Sequence, residues 1–255
     1  MPSSKTIGQR LFDLFKIVLC SFGVVTTFYM VIELTYFLSV PDYEKLERKS
    51  RDPWLKTSWA LLTNTALVSL FILQHSLLAS LKIKDAFEVY GMKMIYRSLY
   101  VITTAGILLF LMRHWQTTPD TILWQLNLHY KPLWWVYAGI HFLSWVIIYI
   151  GNICTDVTEL LGIKQVYYSV FNLPDPNLRK SAQLKRLTSH MRHPSFLAFL
   201  LIFWLYPVMS LDRLLLANIL TMYMYIAWNT DERDYNYHKY QYERKHFELE
   251  SLHGY

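Results

Sequence analysis

The apolar residues of this chain are gathered into long runs that short polar stretches separate. Runs without two-residue alternation predict helices and are not typical of the strands of a membrane barrel. A helix needs about 20 apolar residues to cross a hydrocarbon core of roughly 30 Å. The pattern predicts six membrane helices, at residues 12–40, 54–81, 95–113, 133–153, 196–211 and 214–228.

The last two predicted helices are short and follow each other closely. The connection at Asp212 and Arg213 predicts a helical hairpin whose two ends return to the same side of the membrane. Tyr206-Pro207 interrupts the first of these helices near its far side. Helices this short are expected to tilt or to lie where the bilayer is thin. The predicted fold class is therefore an all-α, polytopic membrane helix bundle that ends in a short hairpin.

Composition supports one integral membrane domain over residues 1–255. Hydrophobic residues make up 53% of the chain, and the mean hydropathy is positive. The first apolar run extends from Leu11 to about Val40, which is too long for the core of a signal peptide. We therefore expect it to be the first membrane helix. Cys20 and Cys154 are expected to be small buried hydrophobes, and no Cys-His spacing predicts a metal site.

The distribution of positive charge predicts an orientation. With six spans, the N-terminus, the 82–94 loop, the 154–195 loop and the charged tail at 229–255 share one side and carry most of the 25 Lys and Arg residues. The positive-inside rule then places both termini in the cytosol or the nucleoplasm. The net charge of +6 follows from this bias. It suits anionic lipid headgroups and requires no nucleic-acid partner.

Gln74-His75-Ser76 is a polar cluster inside the second apolar run. Three successive polar residues cover most of a helical turn, and they cannot all face lipid at low cost. We expect them to point into the bundle and to bond neighbouring helices. A purely structural role is one interpretation of this cluster, and a functional site is the other.

A second polar group stands at the two ends of the predicted hairpin. Arg192 and His193 come directly before it, and Asp231 and Glu232 come directly after it. A hairpin would bring these residues to the same side of the membrane. Ionisable groups at a membrane edge are costly, so the sequence predicts a functional site there.

Several motifs along the chain together resemble the nurim family of multi-pass membrane proteins. The resemblance covers about residues 60–235, and bacterial methanethiol S-methyltransferases are similar to the same pattern. Residues 185–246 more distantly resemble the isoprenylcysteine carboxyl methyltransferases. In chain order the motifs are Gln74-His75-Ser76, Arg97-Ser98, Thr155-Asp156, Gly162-Ile163-Lys164-Gln165-Val166, Arg192-His193-Pro194, Phe203-Trp204 with Pro207 and Met209, and Glu232-Arg233-Asp234.

The resemblance implies a location and a C-terminal half that is methyltransferase-like. The location is the inner nuclear membrane, where a structural or interaction role would involve the lipid bilayer and the nuclear lamina or other envelope proteins. The implied cofactor is S-adenosylmethionine. In this picture Arg192 would hold the methionine carboxylate through a planar pair of hydrogen bonds, and Glu232 or Asp231 would accept the ammonium. His193 would orient a carboxylate or a ribose hydroxyl, and Tyr235 would pack on the adenine or the sulfonium.

Some positions depart from the methyltransferase pattern. Ala198 stands where that pattern has glycine, and Asp231 stands where it has glutamate. Tyr240, Glu243 and His246 replace its later Gly and two Tyr. Two functions therefore remain open: a structural or interaction protein of the nuclear envelope, and a methyltransferase acting on a small thiol or a lipid-like acceptor. Repeats typical of a transporter are not found in the sequence.

Overall fold

Helices account for most of the computed structural model. It describes residues 5–43, 52–127, 129–154, 157–174, 195–227 and Asn236. Within those ranges the elements in chain order are α1 (Ile7–Ser39), α2 (Pro53–Ala79), α3 (Leu81–Val89), α4 (Lys93–His114), β1 (Ile122–Gln125), α5 (Lys131–Cys154), α6 (Val157–Leu160), α7 (Ile163–Val170), α8 (Phe196–Trp204), β2 (Val208–Ser210) and α9 (Leu211–Ala227).

Four of the described helices are long and apolar enough to cross a membrane: α1, α2, α4 and α5. The prediction of an all-α, polytopic membrane protein is confirmed. Local signals set where these helices begin. Thr6 and Gln9 form a capping box at the start of α1, and Asp52 caps α2 ahead of Pro53 at its first position. Helices α8 and α9 have 9 and 17 residues, so the span count of six stays a prediction.

Helix α4 shows how the first three long helices are arranged. Helix α1 runs parallel to it, because the Phe37 ring near the end of α1 packs on Trp115, just beyond α4, at 5.8 Å. Helix α2 runs antiparallel to α4. The Asn64 amide bonds the backbone of Gln116, and the side chain of Gln74, ten residues later, bonds Thr103. The start of α1 and the end of α2 therefore lie at one end of the bundle, which we call the N-terminal end. The opposite end, which holds Ser39, is the far end.

Helices α5, α8 and α9 also alternate in direction. Helix α5 is antiparallel to α1, since His141 bonds Ser39 and Tyr149 bonds Thr35. Helix α8 is antiparallel to α5, because Trp145 packs on Phe199 whereas His141 bonds the Leu205 carbonyl. Helix α9 begins at the far end and returns toward the N-terminal end. These pairings place the start of α8 and the end of α9 at the N-terminal end.

The predicted helix at 196–211 is shorter in the structure, and its predicted connection is wrong. Helix α8 ends at Trp204, because Pro207 has no amide hydrogen to donate and restricts the residue before it. Residues 208–210 form β2 instead and pair antiparallel with β1, with Ile122 opposite Ser210. Asp212 and Arg213 are not the connection but lie in the first turn of α9.

The buried side chain of Asp212 holds the far end together. This carboxylate is fully buried, and it accepts hydrogen bonds from the Trp115 indole at 2.8 Å and the Ser210 hydroxyl at 2.6 Å. The backbone N–H and the hydroxyl of Thr118 donate to it at 2.9 and 2.8 Å. A buried carboxylate is tolerated only when donors satisfy it. Asp212 therefore ties the loop after α4 to β2 and the start of α9.

Helices α8 and α9 are part of the bundle core. Their buried side chains share one hydrophobic cluster with those of α1, α2, α4 and α5. Ala198, where the methyltransferase pattern has glycine, is buried in this cluster. Representative members are Leu38, Val68, Leu111, Trp145, Ile202 and Leu216.

Helices α6 and α7 dock against the N-terminal end through a close contact at Gly162. This glycine has φ of +85°, a conformation that costs other residues free energy. An added Cβ would lie 3.0 Å from the Ser98 hydroxyl and 3.2 Å from the Ser98 backbone nitrogen. Arg97 Nε donates to the Leu160 carbonyl at 2.6 Å. The motifs Arg97-Ser98 and Gly162–Val166, far apart in sequence, are therefore in contact.

We expect Gly162→Ala to lower the free energy of unfolding by about 2–3 kcal/mol, because it adds backbone strain and a clash with the backbone of α4. Thermal denaturation in detergent would measure the loss. Gly91 also has positive φ but nothing lies near its added Cβ, so Gly91→Ala should cost about 1 kcal/mol. Gly106 lies within α4 with open space around it, and Gly106→Ala should be neutral or slightly stabilising. Equal losses for Gly162→Ala and Gly91→Ala would contradict the close contact.

Candidate functional site

The polar cluster Gln74-His75-Ser76 lies where α2, α4 and α9 meet near the N-terminal end. Gln74 Nε2 donates to the hydroxyls of Thr103 and Thr104 on α4, at 2.9 and 3.3 Å. The Ser76 and Tyr223 hydroxyls are 3.2 Å apart. The cluster on α2 therefore contacts side chains of two neighbouring helices, α4 and α9.

His75 sits within a group of aromatic rings. The centroids of Phe71 and Tyr100 are each 5.4 Å from that of His75, and Tyr223 is at 6.3 Å. The Tyr100 hydroxyl lies 3.0 Å from Nδ1 of His75. Imidazole and phenol groups can both donate and accept hydrogen bonds. The cluster can therefore bind a ligand atom that donates a hydrogen bond or one that accepts it.

Gln74 has an acceptor that the fold leaves unused. Its Oε1 is buried and has no hydrogen-bond partner among the described residues. Asn64, ten residues earlier on the same helix, shows the contrast. Its Nδ2 donates to the Gln116 carbonyl at 2.7 Å, and its Oδ1 accepts from the Gln116 N–H at 2.9 Å. Asn64 is a structural residue, whereas Gln74 retains a free acceptor that a ligand N–H or O–H could satisfy.

Arg97 brings a positive charge to the same side of α4. Its guanidinium lies over the ring of Tyr100, with 5.1 Å between Cζ and the centroid. Its Nε bond to the Leu160 carbonyl fixes the side chain against α6. A cation over an aromatic face is stabilised by the ring quadrupole. Arg97, Tyr100 and Thr103 thus form a polar strip along successive turns of α4.

The residues predicted to hold a cofactor, Arg192, His193, Asp231, Glu232 and Tyr235, lie outside the described residues. The chain on either side of them is described. Ser195 precedes α8, and its hydroxyl lies close to Gly151. Ala227 ends α9, one turn after Tyr223. Both predicted segments therefore join the bundle at the end that carries the Gln74-His75-Ser76 cluster.

Sequence reasoning missed two buried polar residues that link elements of the fold. Asn64 is fully buried, and its only sequence signal is an amide in the middle of an apolar run. His141 is buried at the far end and bonds Ser39 and Leu205. It lies in the predicted fourth span, and a lone histidine there gives no indication of its partners.

Comparison with known proteins finds relatives over most of the chain. The chain is 38% identical over 250 residues to "Nurim homolog" of Drosophila pseudoobscura pseudoobscura, which covers 92% of this chain and 98% of that protein. It is 40% identical over 190 residues to "Nurim" of Danio rerio, covering 73% and 68%. For "Nurim" of Mus musculus the identity is 38% over 189 residues, covering 73% and 72%. No family profile and no solved structure matches the chain.

We expect Gln74→Leu to change the free energy of unfolding by no more than about 0.5 kcal/mol, because it removes an unsatisfied buried acceptor together with the bonds to threonine. Thr103 keeps a bond to the Leu99 carbonyl at 2.9 Å. Asn64→Leu is the matched control. It leaves the backbone N–H and carbonyl of Gln116 without their hydrogen-bond partners, so it should lower the free energy of unfolding by about 2–4 kcal/mol. Thermal denaturation of both variants checks this, and equal costs would make Gln74 a structural residue.

Proposed function

Since this multi-pass membrane protein belongs to the nurim family, we propose that it resides in the inner nuclear membrane and acts there as a structural or interaction protein. The observation that supports an interaction role is the fixed, partly apolar surface of α7. Ile163, Tyr167 and Phe171 follow one another at four-residue intervals and are 36%, 52% and 61% exposed. Aromatic side chains on a rigid support are typical of interface hot spots.

The anchoring of α7 explains why this surface is rigid. Lys16 of α1 donates to the Ser169 hydroxyl at 2.9 Å and pairs with Asp13 at 3.0 Å. Lys5 pairs with the same carboxylate and donates to the Val170 carbonyl. Both ends of α7 are therefore held, one by Gly162 and the other by these lysines. The positive-inside rule would place the surface in the nucleoplasm, facing lamina or other envelope proteins.

We expect a tagged protein to give a nuclear rim signal, and expect a C-terminal tag to be detected only after the nuclear membranes are permeabilised. Combined Tyr167→Ala and Phe171→Ala changes should weaken retention by roughly tenfold or more, because each aromatic anchor contributes about 1–2 kcal/mol. Fluorescence recovery after photobleaching measures retention. The control is Phe22→Ala with Phe28→Ala on α1, both 58% exposed. A signal spread through the endoplasmic reticulum would refute the location, and unchanged recovery would refute the α7 surface.

A methyltransferase function is the second candidate, and one specific observation favours it. The N-terminal end, where Ser195 and Ala227 lie, has a buried acceptor, Gln74 Oε1, without a partner among the described residues. When bound, S-adenosylmethionine supplies an electrophilic methyl group. Arg192 would hold its carboxylate, Glu232 or Asp231 its ammonium, and Gln74 one of its N–H or O–H groups. A site at the membrane edge excludes water and admits apolar acceptors.

We expect S-adenosylmethionine at 100 times its dissociation constant to raise the stability of the purified protein by about 2.7 kcal/mol. Arg192→Ala and Glu232→Ala should each abolish the shift, because each removes one charged partner of the cofactor. Arg113→Ala at the far end and Glu88→Ala on α3 are the matched controls and should retain it. No shift and no calorimetric heat at millimolar cofactor would refute the enzymatic candidate. Shifts that persist in the two site variants would refute the assigned residues.

A further inference from the structure

A cavity of about 1040 Å³ lies at the far end between α1 and α5. Helix α1 packs along α4 and α5 packs along α8. Among the described residues, the hydrogen bonds between α1 and α5 involve two positions on α1. Thr35 bonds Tyr149 at 2.6 Å, and Ser39 bonds His141 at 3.0 Å. Cavities of roughly 300–1,000 Å³ hold drug-sized ligands, so this one has room for a small lipid.

The wall of the cavity that α5 supplies is mainly aromatic. The rings of Trp134, Tyr137, Phe142 and Trp145 line it from α5. Trp134 and Phe142 are among the exposed large apolar side chains of the chain. Flat aromatic faces bury most area against a flat apolar ligand. The walls therefore favour a rigid ring system over flexible acyl chains, which lose more conformational entropy on binding.

The Ser39 hydroxyl lines the cavity, and its oxygen can accept one more hydrogen bond. Ser39 Oγ accepts from the Trp145 indole at 2.7 Å. His141 Nε2 lies 3.2 Å from the Leu205 carbonyl, which can only accept, so Nε2 carries the proton. In this neutral tautomer Nδ1 accepts a hydrogen bond from the Ser39 hydroxyl at 3.0 Å. One lone pair of Ser39 Oγ remains, and a ligand hydroxyl can donate to it.

The described residues at the mouth of the cavity are polar. Gln125, Asn127 and His129 border it on the β1 side. Among the described lining residues there is no Asp, Glu, Lys or Arg. A charged headgroup buried there would have no counter-charge among the described lining residues, which is costly. A neutral ligand is therefore favoured.

We propose that this cavity binds a neutral, rigid amphipathic lipid of the sterol class, which enters from the bilayer between α1 and α5. Its hydroxyl donates to Ser39 Oγ, and its ring system packs against the aromatic side chains of α5. This site is at the opposite end of the bundle from the Gln74-His75-Ser76 cluster and does not depend on either proposed function.

The test uses the full chain in phosphatidylcholine nanodiscs with a photoactivatable cholesterol. We expect saturable labelling that maps to the end of α1 and the first half of α5 and that unlabelled cholesterol competes away. Cholesteryl methyl ether, which cannot donate, should compete about threefold to tenfold less well, since one hydrogen bond is lost. This comparison leaves the protein unchanged, so it does not depend on the folding of any variant.

Two substitutions test the position of the ligand. Ala138 lines the cavity, and Ala138→Trp should fill the space and remove most of the labelling. Ala66 is exposed on α2, and Ala66→Trp should leave labelling unchanged. Gel filtration and thermal denaturation check that both variants fold, and Ala138→Phe replaces Ala138→Trp if that variant aggregates.

Three outcomes would overturn the proposal. Labelling that does not saturate would indicate contact with bulk lipid only. Equal labelling in the cavity-filling variant and the Ala66→Trp control would place the sterol elsewhere. Competition by cholesteryl methyl ether as strong as that by cholesterol would show that the site does not select a lipid with a hydroxyl donor.

Discussion

The far end of the bundle depends on the Asp212 carboxylate being satisfied by four donors. Those donors come from the loop after α4 and from β2, so the carboxylate can be buried only when these segments meet. Contact between the loop after α4 and β2 sets the register of β1 and β2. It also places Arg213, the residue after Asp212, over the rings of Phe37 and Tyr206. One charge that cannot be left unpaired therefore fixes α1, α4 and α9 relative to one another.

The two ends of the bundle use polar residues differently. At the far end the network around Asp212 is closed, because each donor finds an acceptor in another described element. At the N-terminal end Gln74 retains a buried acceptor without a partner among the described residues, and Ser195 and Ala227, the described residues nearest in sequence to Arg192 and Glu232, lie at the same end. A network in which every group has a hydrogen-bond partner stabilises the fold. A network with an unused acceptor can instead bind a ligand that donates to it. This difference makes the N-terminal end the better candidate for chemistry.

The sequence predicted the four long helices to within a few residues, because their length and apolar composition leave no other structure in lipid. It failed at 205–211, where β2 depends on a partner, Ile122–Gln125, too short to produce a strand pattern. Asp212 was interpreted as part of a turn, since nothing local reveals that Trp115 and Thr118 fold over it. The contacts of Gln74 and His75 likewise depend on which helices become neighbours, and that is a property of the whole bundle.

Gly162 has a consequence for how this family can vary. Its hydrogen atom occupies the space where a side chain would meet the backbone of Ser98, so α6 and α7 lie closer to α4 than any residue with a Cβ would permit. A larger residue at 162 would be accommodated only if α7 moved away, which would also separate Ser169 from Lys16. Positions 16, 98, 162 and 169 should therefore change together among relatives, as a coupled set, although three different helices and a loop carry them.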